Sequence, residues 1–357
     1  MAKQSLKFSS FHLFNKPDNW SVKEVYDYHI ELAEYLEELG FDGVWLAEHH
    51  FRDYGVCPST LGMLSYLAAR TTKLKLGTGI VVLPLHNPIT IAEEAAQLDL
   101  LSNGRVKLGV GRGYQAAEFD RFNVDIKQAR DRFNESLDII TKAWTEETFS
   151  YHGQYYHFDD VTLIPKPMQR PHPPIYIASI SPTTVELSAK RGLPILADPV
   201  ATFKNVGTAA ATWQASMRDF GHNPTNHELC VMRTVYVAAS NEKARQDLEK
   251  FELGFDRSKI VSKQSAPIDA TTGQIAEGFE YWQSRYLKGG EVSTDFRWDQ
   301  LEVVGDPERV IQQLKLLQSF GYDNIMCDFG STRPMPISDM KKIIKFFADE
   351  VMPAFKT

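Results

Sequence analysis

Three cysteines, Cys57, Cys230 and Cys327, are all that 357 residues carry. They stand far apart and form no CxxC pair, which argues against a disulfide framework or a thiolate metal site and suits a reducing compartment. No apolar run approaches the roughly 18 residues that a membrane-spanning helix needs, so no membrane partner is expected. The start, Met1 to Leu6, lacks the apolar core of a signal peptide, and a cytoplasmic setting is expected. No basic stripe is present, and a formal net charge of -7 with a pI near 5.8 gives no nucleic-acid signature. A GxGxxG dinucleotide fingerprint is absent as well. What is present is the ordinary mixture of a globular protein, 43% hydrophobic and 24% charged.

The stretch Gly40 to Phe51 carries the most information. Val25, Leu32, Leu36 and Leu39 recur at helical spacing and end at Gly40, a natural helix stop. Gly43 to Ala47 then reads as a parallel strand buried on both faces, and it ends abruptly in Glu48, His49 and His50. Ionisable groups at the carboxyl end of such a strand occupy the position where α/β folds place their active sites. The same helix–Gly–strand grammar returns at Gly321 to Asp328 and, more weakly, at Gly192 to Asp198.

Eight strands are predicted: Lys7–Phe14, Asp42–Ala47, Leu74–Val82, Val106–Val110, Pro174–Ser179, Pro194–Ala197, Leu229–Ala238 and Asn324–Cys327. Helical patterns alternate with them, from Val22–Leu39 to Ile337–Val351. Eight such units are the count of a (β/α)8 barrel, an α/β fold of TIM-barrel type. One domain over residues 1–357 is expected, with insertions at about 147–173, before the fifth strand, and about 253–305, before the eighth. Connections that long are usually functional. The second mixes glycines with Phe279, Tyr281, Trp282 and Tyr286, the composition of a lid with an apolar underside.

Four constellations could carry chemistry. In Glu48-His49-His50, neighbouring residues point to opposite faces, so at most one histidine faces the barrel mouth and the other is structural. A metal centre is not expected, because the first strand adds only His12 as a candidate ligand. Gly77 and Gly79 at the end of the third strand permit close approach of a flat ligand to the backbone. Gly111-Arg112-Gly113 presents an arginine suited to a phosphate or carboxylate, or to a surface ion pair. Ser181-Pro182-Thr183-Thr184 is an N-cap and first turn whose free amides favour an anion.

Together with Leu98-Asp99, Ser102 to Arg105, Val304 to Glu308 and Asp349 to Pro353, these strings resemble the bacterial luciferase-like flavin-dependent monooxygenase family over nearly the whole length. The resemblance implies an oxidoreductase that takes reduced FMN from a separate flavin reductase. Through a flavin hydroperoxide it would oxygenate an aldehyde, ketone or similar apolar molecule with O2. It implies that Arg112, Ser181, Thr184 and the backbone of Ile180 hold the FMN phosphate, with Tyr114 and Ala178 in the cofactor-binding set. It places the isoalloxazine against a cis Gly79–Ile80 peptide, His49 as the catalytic group with Glu48 beside it, and Lys288 in the lid. It also implies a homodimer through the helices Ser59–Ala69 and Pro88–Leu101, whose Leu61, Leu64, Leu67, Ala92, Ala95 and Leu98 exceed one apolar face. The light-emitting subunit of the family carries a reactive cysteine where this chain has Gly111, a lysine where it has Glu291 and a glutamate where it has Ile180, so light emission is not expected. Two alternatives stay open: deazaflavin-dependent hydride transfer on the same barrel, and non-catalytic flavin binding.

Overall fold

Strands β1 (Lys7–His12), β2 (Gly43–Leu46), β3 (Lys75–Thr78), β4 (Val106–Gly111), β5 (Ile175–Ser179), β6 (Ile195–Ala197), β7 (Cys230–Val237) and β8 (Asn324–Asp328) pair in parallel in that order. β8 pairs back onto β1, closing the barrel. This computed structural model describes residues 5–179, 181–197, 201–251, 267–268, 272–276, 279, 293–330 and 335–356. All eight predicted strands are present. The third is in two pieces, Lys75–Thr78 and Val81–Val82, with the cis Gly79–Ile80 peptide between them.

The outer ring consists of α1 (Val22–Glu38), α2 (Thr60–Arg70), α3 (Pro88–Leu101), α4 (Ala129–Thr145), α5 (Pro182–Lys190), α6 (Phe203–Asp219), α7 (Pro307–Ser319) and α8 (Ile337–Glu350). Local chemistry starts them. Ser21 and Glu24 form a reciprocal capping box on α1, while Asn87 caps α3 ahead of Pro88, and Ser181 caps α5 ahead of Pro182. The barrel-facing stripe of α1, from Val25 to Leu36, is buried, and each large apolar side chain so covered contributes about 1.5–3 kcal/mol.

Arg105 ties these layers together. Its guanidinium donates to the carbonyls of Ser102, Ala68, Thr71 and Leu74 and to the Thr71 hydroxyl, all within 3.0 Å. The carbonyls left over at the end of α2 are thereby satisfied. Inside the barrel, Trp45 meets Tyr176 edge-on at 5.3 Å. Beneath them Lys107 lies 2.6 Å from Glu228 and 3.2 Å from Asp42, an ionic floor at the amino ends of the strands.

The 147–173 insertion contains an antiparallel hairpin, Phe149–His152 with His157–Val161. Its turn donates three amides, from Gln154, Tyr155 and Tyr156, to Glu135 on α4. After β7 come the helix Asn241–Phe251 and a short strand, Val303–Gly305, paired with β7.

One candidate ligand is excluded and one expectation is corrected. His12 points out of the barrel, where its Nδ1 lies 3.2 Å from His29 Nδ1 on α1, so it cannot join a ligand set at the mouth. Leu61, Leu64, Leu67, Ala92, Ala95 and Leu98 are buried within the chain itself and form no spare apolar face. The second layer they pack into accounts for their number. Exposed apolar side chains on these two helices are Tyr66, Leu100 and Leu101. Among the described residues no helix is long and apolar enough to cross a membrane.

Candidate active site

A cavity of about 440 Å³ opens at the carboxyl ends of the strands. Alternation along each strand decides what faces it. Phe11 and Leu13 follow from β1, Ala47, Glu48 and His49 from the end of β2, and Gly79 and Ile80 from the break after β3. Gly111 to Gln115 come from β4 and its loop, Ala178 and Ser179 from β5, and Met232 and Met326 from β7 and β8.

Part of the cavity lining consists of hydrogen-bond donors suited to an anion. Ser181 Oγ accepts the Thr184 amide at 3.3 Å, fixing the first turn of α5 beside the cavity, which Ser181, Thr183 and Thr184 line. Arg112, and Arg130 and Asn134 of the neighbouring helix α4, line the same space. Arg112 also lies against Phe279, with the guanidinium carbon 3.8 Å from the ring centroid. Arginine edges, hydroxyls and helix amides are the donor set a phosphate requires. Glu48 and Glu118 are the carboxylates that line the cavity. The walls beside it are smooth at Gly79 and Gly111. A Cβ on Gly111 would lie 2.2 Å from Ile80 Cδ1, so the absence of a side chain there lets Ile80 stand against the wall. These features fit a phosphorylated flavin.

A second polar group of the lining gathers around His49. His49 faces the cavity, and its Nδ1 lies 2.7 Å from Gln115 Nε2 and 3.3 Å from Glu118 Oε1. Glu118 also accepts the His50 amide at 2.9 Å and is nearly fully buried. Arg52 donates to Gln115 Oε1 at 2.8 Å. Tyr54 packs on the His49 ring, 5.0 Å between centroids. Gly55 closes the back: a Cβ there would come within 2.9 Å of both His49 Cβ and Cδ2.

Glu48 and His50 are tied to each other, and Glu48 to His86. Both His50 Nε2, at 3.0 Å, and His86 Nε2, at 2.8 Å, reach Glu48 Oε1, and the Val82 amide reaches Oε2. Burial alone would raise the Glu48 pKa, but the hydrogen bonds from the two histidines outweigh it and hold it below the usual carboxylate value. Burial likewise opposes the charge on His86, and Glu48 raises it. Glu48 therefore lines the cavity while its oxygens pin the loop after Ile80. This trio is the one group among the described residues whose donor atoms lie within 4.8 Å of one another, close enough to hold a cation. Hydrogen bonding accounts for it without one.

Of the predicted site residues, Glu48, His49, Gly79, Ile80, Arg112, Tyr114, Ala178, Ser181 and Thr184 all line this one cavity. Ile180 and Lys288 lie outside the described residues, as does most of the expected lid. Reading the sequence missed Gln115, Glu118, Arg52 and Arg130. Gln115 and Glu118 stand three apart around a six-residue helix, Ala116–Arg121, that has no side-chain cap to announce it. The spacing Gln-x-x-Glu after the glycine-rich loop was the available signal.

The chain matches the family profile of luciferase-like monooxygenases over residues 6–324 and belongs to that family. It is 28% identical to the oxygenase component of the flavin-dependent trigonelline monooxygenase of Acinetobacter baylyi, covering 98% of this chain and 96% of that one. It is 27% identical to an alkanal monooxygenase alpha chain of Photorhabdus luminescens, over 98% and 97% of the two chains. Among solved structures, the monooxygenase RslO1 of Streptomyces bottropensis superposes with a TM-score of 0.80 at 25% identity, covering 98% of this chain and 100% of that one. An F420-dependent secondary alcohol dehydrogenase reaches 0.74 at 18% identity, over 99% and 100%, which shows the shared fold alone.

Proposed function

We propose that this protein is the oxygenase component of a two-component system: it receives reduced FMN from a separate reductase and transfers one atom of O2 to a small apolar substrate. The observation that carries the reading is that one cavity gathers Arg112, Arg130, Ser181 and Thr184, suited to an anion, with His49, Gln115 and Glu118, suited to proton handling, among apolar side chains.

Arg112, Arg130, Ser181 and Thr184 would hold the phosphate. Gly79, Ile80, Tyr114 and Ala178 would border the ring system. The bound flavin supplies the oxygen-activating chemistry. The chain's own residues orient, exclude water and move protons. Phe11, Leu13, Leu196, Met232 and Met326 offer a dry surface for an uncharged substrate such as an aldehyde or ketone. His49 exchanges a proton with the reacting oxygen, a contribution of about 10²–10⁴-fold. Glu48, through Val82 and His86, holds the Gly79–Val82 loop in place. The absence of a nicotinamide fingerprint supports reduction on another protein.

The reading includes a single domain in a cytoplasmic homodimer, with Tyr66, Leu100 and Leu101 as the apolar contacts on α2 and α3. A monomeric mass by light scattering at micromolar concentration would count against the dimer. Anaerobic titration with reduced FMN and with reduced deazaflavin tests the cofactor, and an oxygen-uptake screen of aldehydes, ketones and amines tests the activity. Tight deazaflavin binding with substrate-dependent hydride transfer and no oxygen uptake would replace this reading with the alternative one.

A further inference from the structure

We infer that Arg52 and Gln115 are positioning residues that decide which nitrogen of His49 carries its proton, holding the neutral ring as the Nε2–H tautomer. The inference rests on His49 being the proton-handling group of the proposed reaction.

The argument runs through donors and acceptors. A guanidinium only donates. Arg52 Nη1 lies 2.8 Å from one terminal atom of the Gln115 amide, which must therefore be its oxygen. The other terminal atom is then the NH2, 2.7 Å from His49 Nδ1. An amide NH2 also only donates, so Nδ1 must accept. A neutral imidazole that accepts at Nδ1 carries its hydrogen on Nε2. Among the described residues no group bonds that second nitrogen, and the ring lines the cavity.

Glu118 does not reverse this. Its Oε1 is farther from Nδ1, at 3.3 Å, and already takes the His50 amide at 2.9 Å. It becomes the natural partner only once Nδ1 is protonated. Tyr54 packs on the ring, and the flanking Glu48 and His50 are bonded to each other.

The consequence is directional. Neutral His49 offers the cavity an N–H and no lone pair. It is set to donate to an oxygen that gathers negative charge, and to receive its second proton at Nδ1, backed by Glu118. Taking a proton directly from the cavity would first require the Gln115 amide to turn over.

The test is ring-¹⁵N NMR of the full-length protein labelled at histidine, with the His49 signals assigned by loss in His49→Asn. The wild type is expected to show the neutral Nε2–H form. Arg52→Met frees the amide to rotate and should move the ring toward Nδ1–H, with product formation falling about tenfold, the worth of one hydrogen bond. Arg52→Lys, which also only donates, should restore both. Gln115→Glu, an acceptor at either oxygen, should force Nδ1–H whatever stands at position 52. A wild-type Nδ1–H tautomer, or a tautomer unmoved by both Arg52→Met and Gln115→Glu, would overturn the inference. If the tautomer responds as stated but His49→Ala keeps full activity, the role given to His49 fails and the control by Arg52 and Gln115 stands.

Discussion

Arg112 lies over the Phe279 ring, 3.8 Å from guanidinium carbon to ring centroid, and also lines the cavity. Phe279 is itself buried among Val82, Leu85, Phe119 and Ile126, so the arginine rests on a fixed platform. Arg112→Ala should weaken FMN about ten- to a hundredfold, the range for charge-assisted hydrogen bonds, while riboflavin changes little because it has no phosphate to lose. Phe279→Leu should weaken FMN by about two- to thirtyfold, since stacking is worth about 0.5–2 kcal/mol. Flavin fluorescence titration reads both, and equal losses for the two ligands would remove Arg112 from the phosphate site.

The Arg105 cage makes a stability prediction. Arg105→Lys keeps the charge but replaces a planar fork with three mobile donors, leaving several buried carbonyls at the end of α2 unbonded. The loss should be about 3 kcal/mol, read as a lower urea midpoint with an unchanged slope. A change under 1 kcal/mol would mean water replaces the guanidinium there.

Acid stability should report the His12–His29 pair behind β1. Burial lowers the His12 pKa from 6.5 to about 4, and burial together with His12 lowers that of His29. Below pH 6.5 the unfolded chain binds protons that the folded chain refuses, so this stability is complete above 6.5 and is lost as pH falls toward 4. For His12 the loss is about 3 kcal/mol. The double variant His12→Leu/His29→Leu should flatten urea-unfolding stability across that window. An unchanged slope would place the acid sensitivity elsewhere.

Gly55 offers a way to disturb His49 without removing it. A methyl at Gly55 meets the His49 Cβ and Cδ2 at 2.9 Å and the Leu13 carbonyl at 3.1 Å, and the backbone carbonyl cannot yield. The imidazole must therefore shift, which disturbs its 2.7 Å contact with Gln115. Gly55→Ala should lower turnover about tenfold or more, as small misplacements do, while FMN affinity stays within a few-fold. Equal losses in both would indicate a general disruption of the mouth.

The barrel was legible because its signals are local. Buried parallel strands read as short apolar runs, and Ser21, Asn87 and Ser181 mark helix starts by their own chemistry. The hairpin Phe149–Val161 was not legible, because its strands are mostly polar and exposed, as at His152, His157 and Asp159, and resemble a loop. The apolar surplus on α2 and α3 read as an interface because one-dimensional spacing cannot distinguish a second packing layer from a free face. Within the site, His49 and Arg112 stood out by their position after strands. Glu118 did not, since its meaning depends on a contact with a residue 69 positions away.

The central claim is that His49 handles the proton in a flavin-dependent oxygenation, and one ratio tests it. With any aldehyde, ketone or amine that supports oxygen uptake, product and hydrogen peroxide are measured per reduced FMN for the wild type and for His49→Ala. The account predicts FMN affinity near that of the wild type, with product falling about 10²–10⁴-fold in rate and oxygen diverted to peroxide. Wild-type rate and wild-type product-to-peroxide ratio in His49→Ala would contradict it.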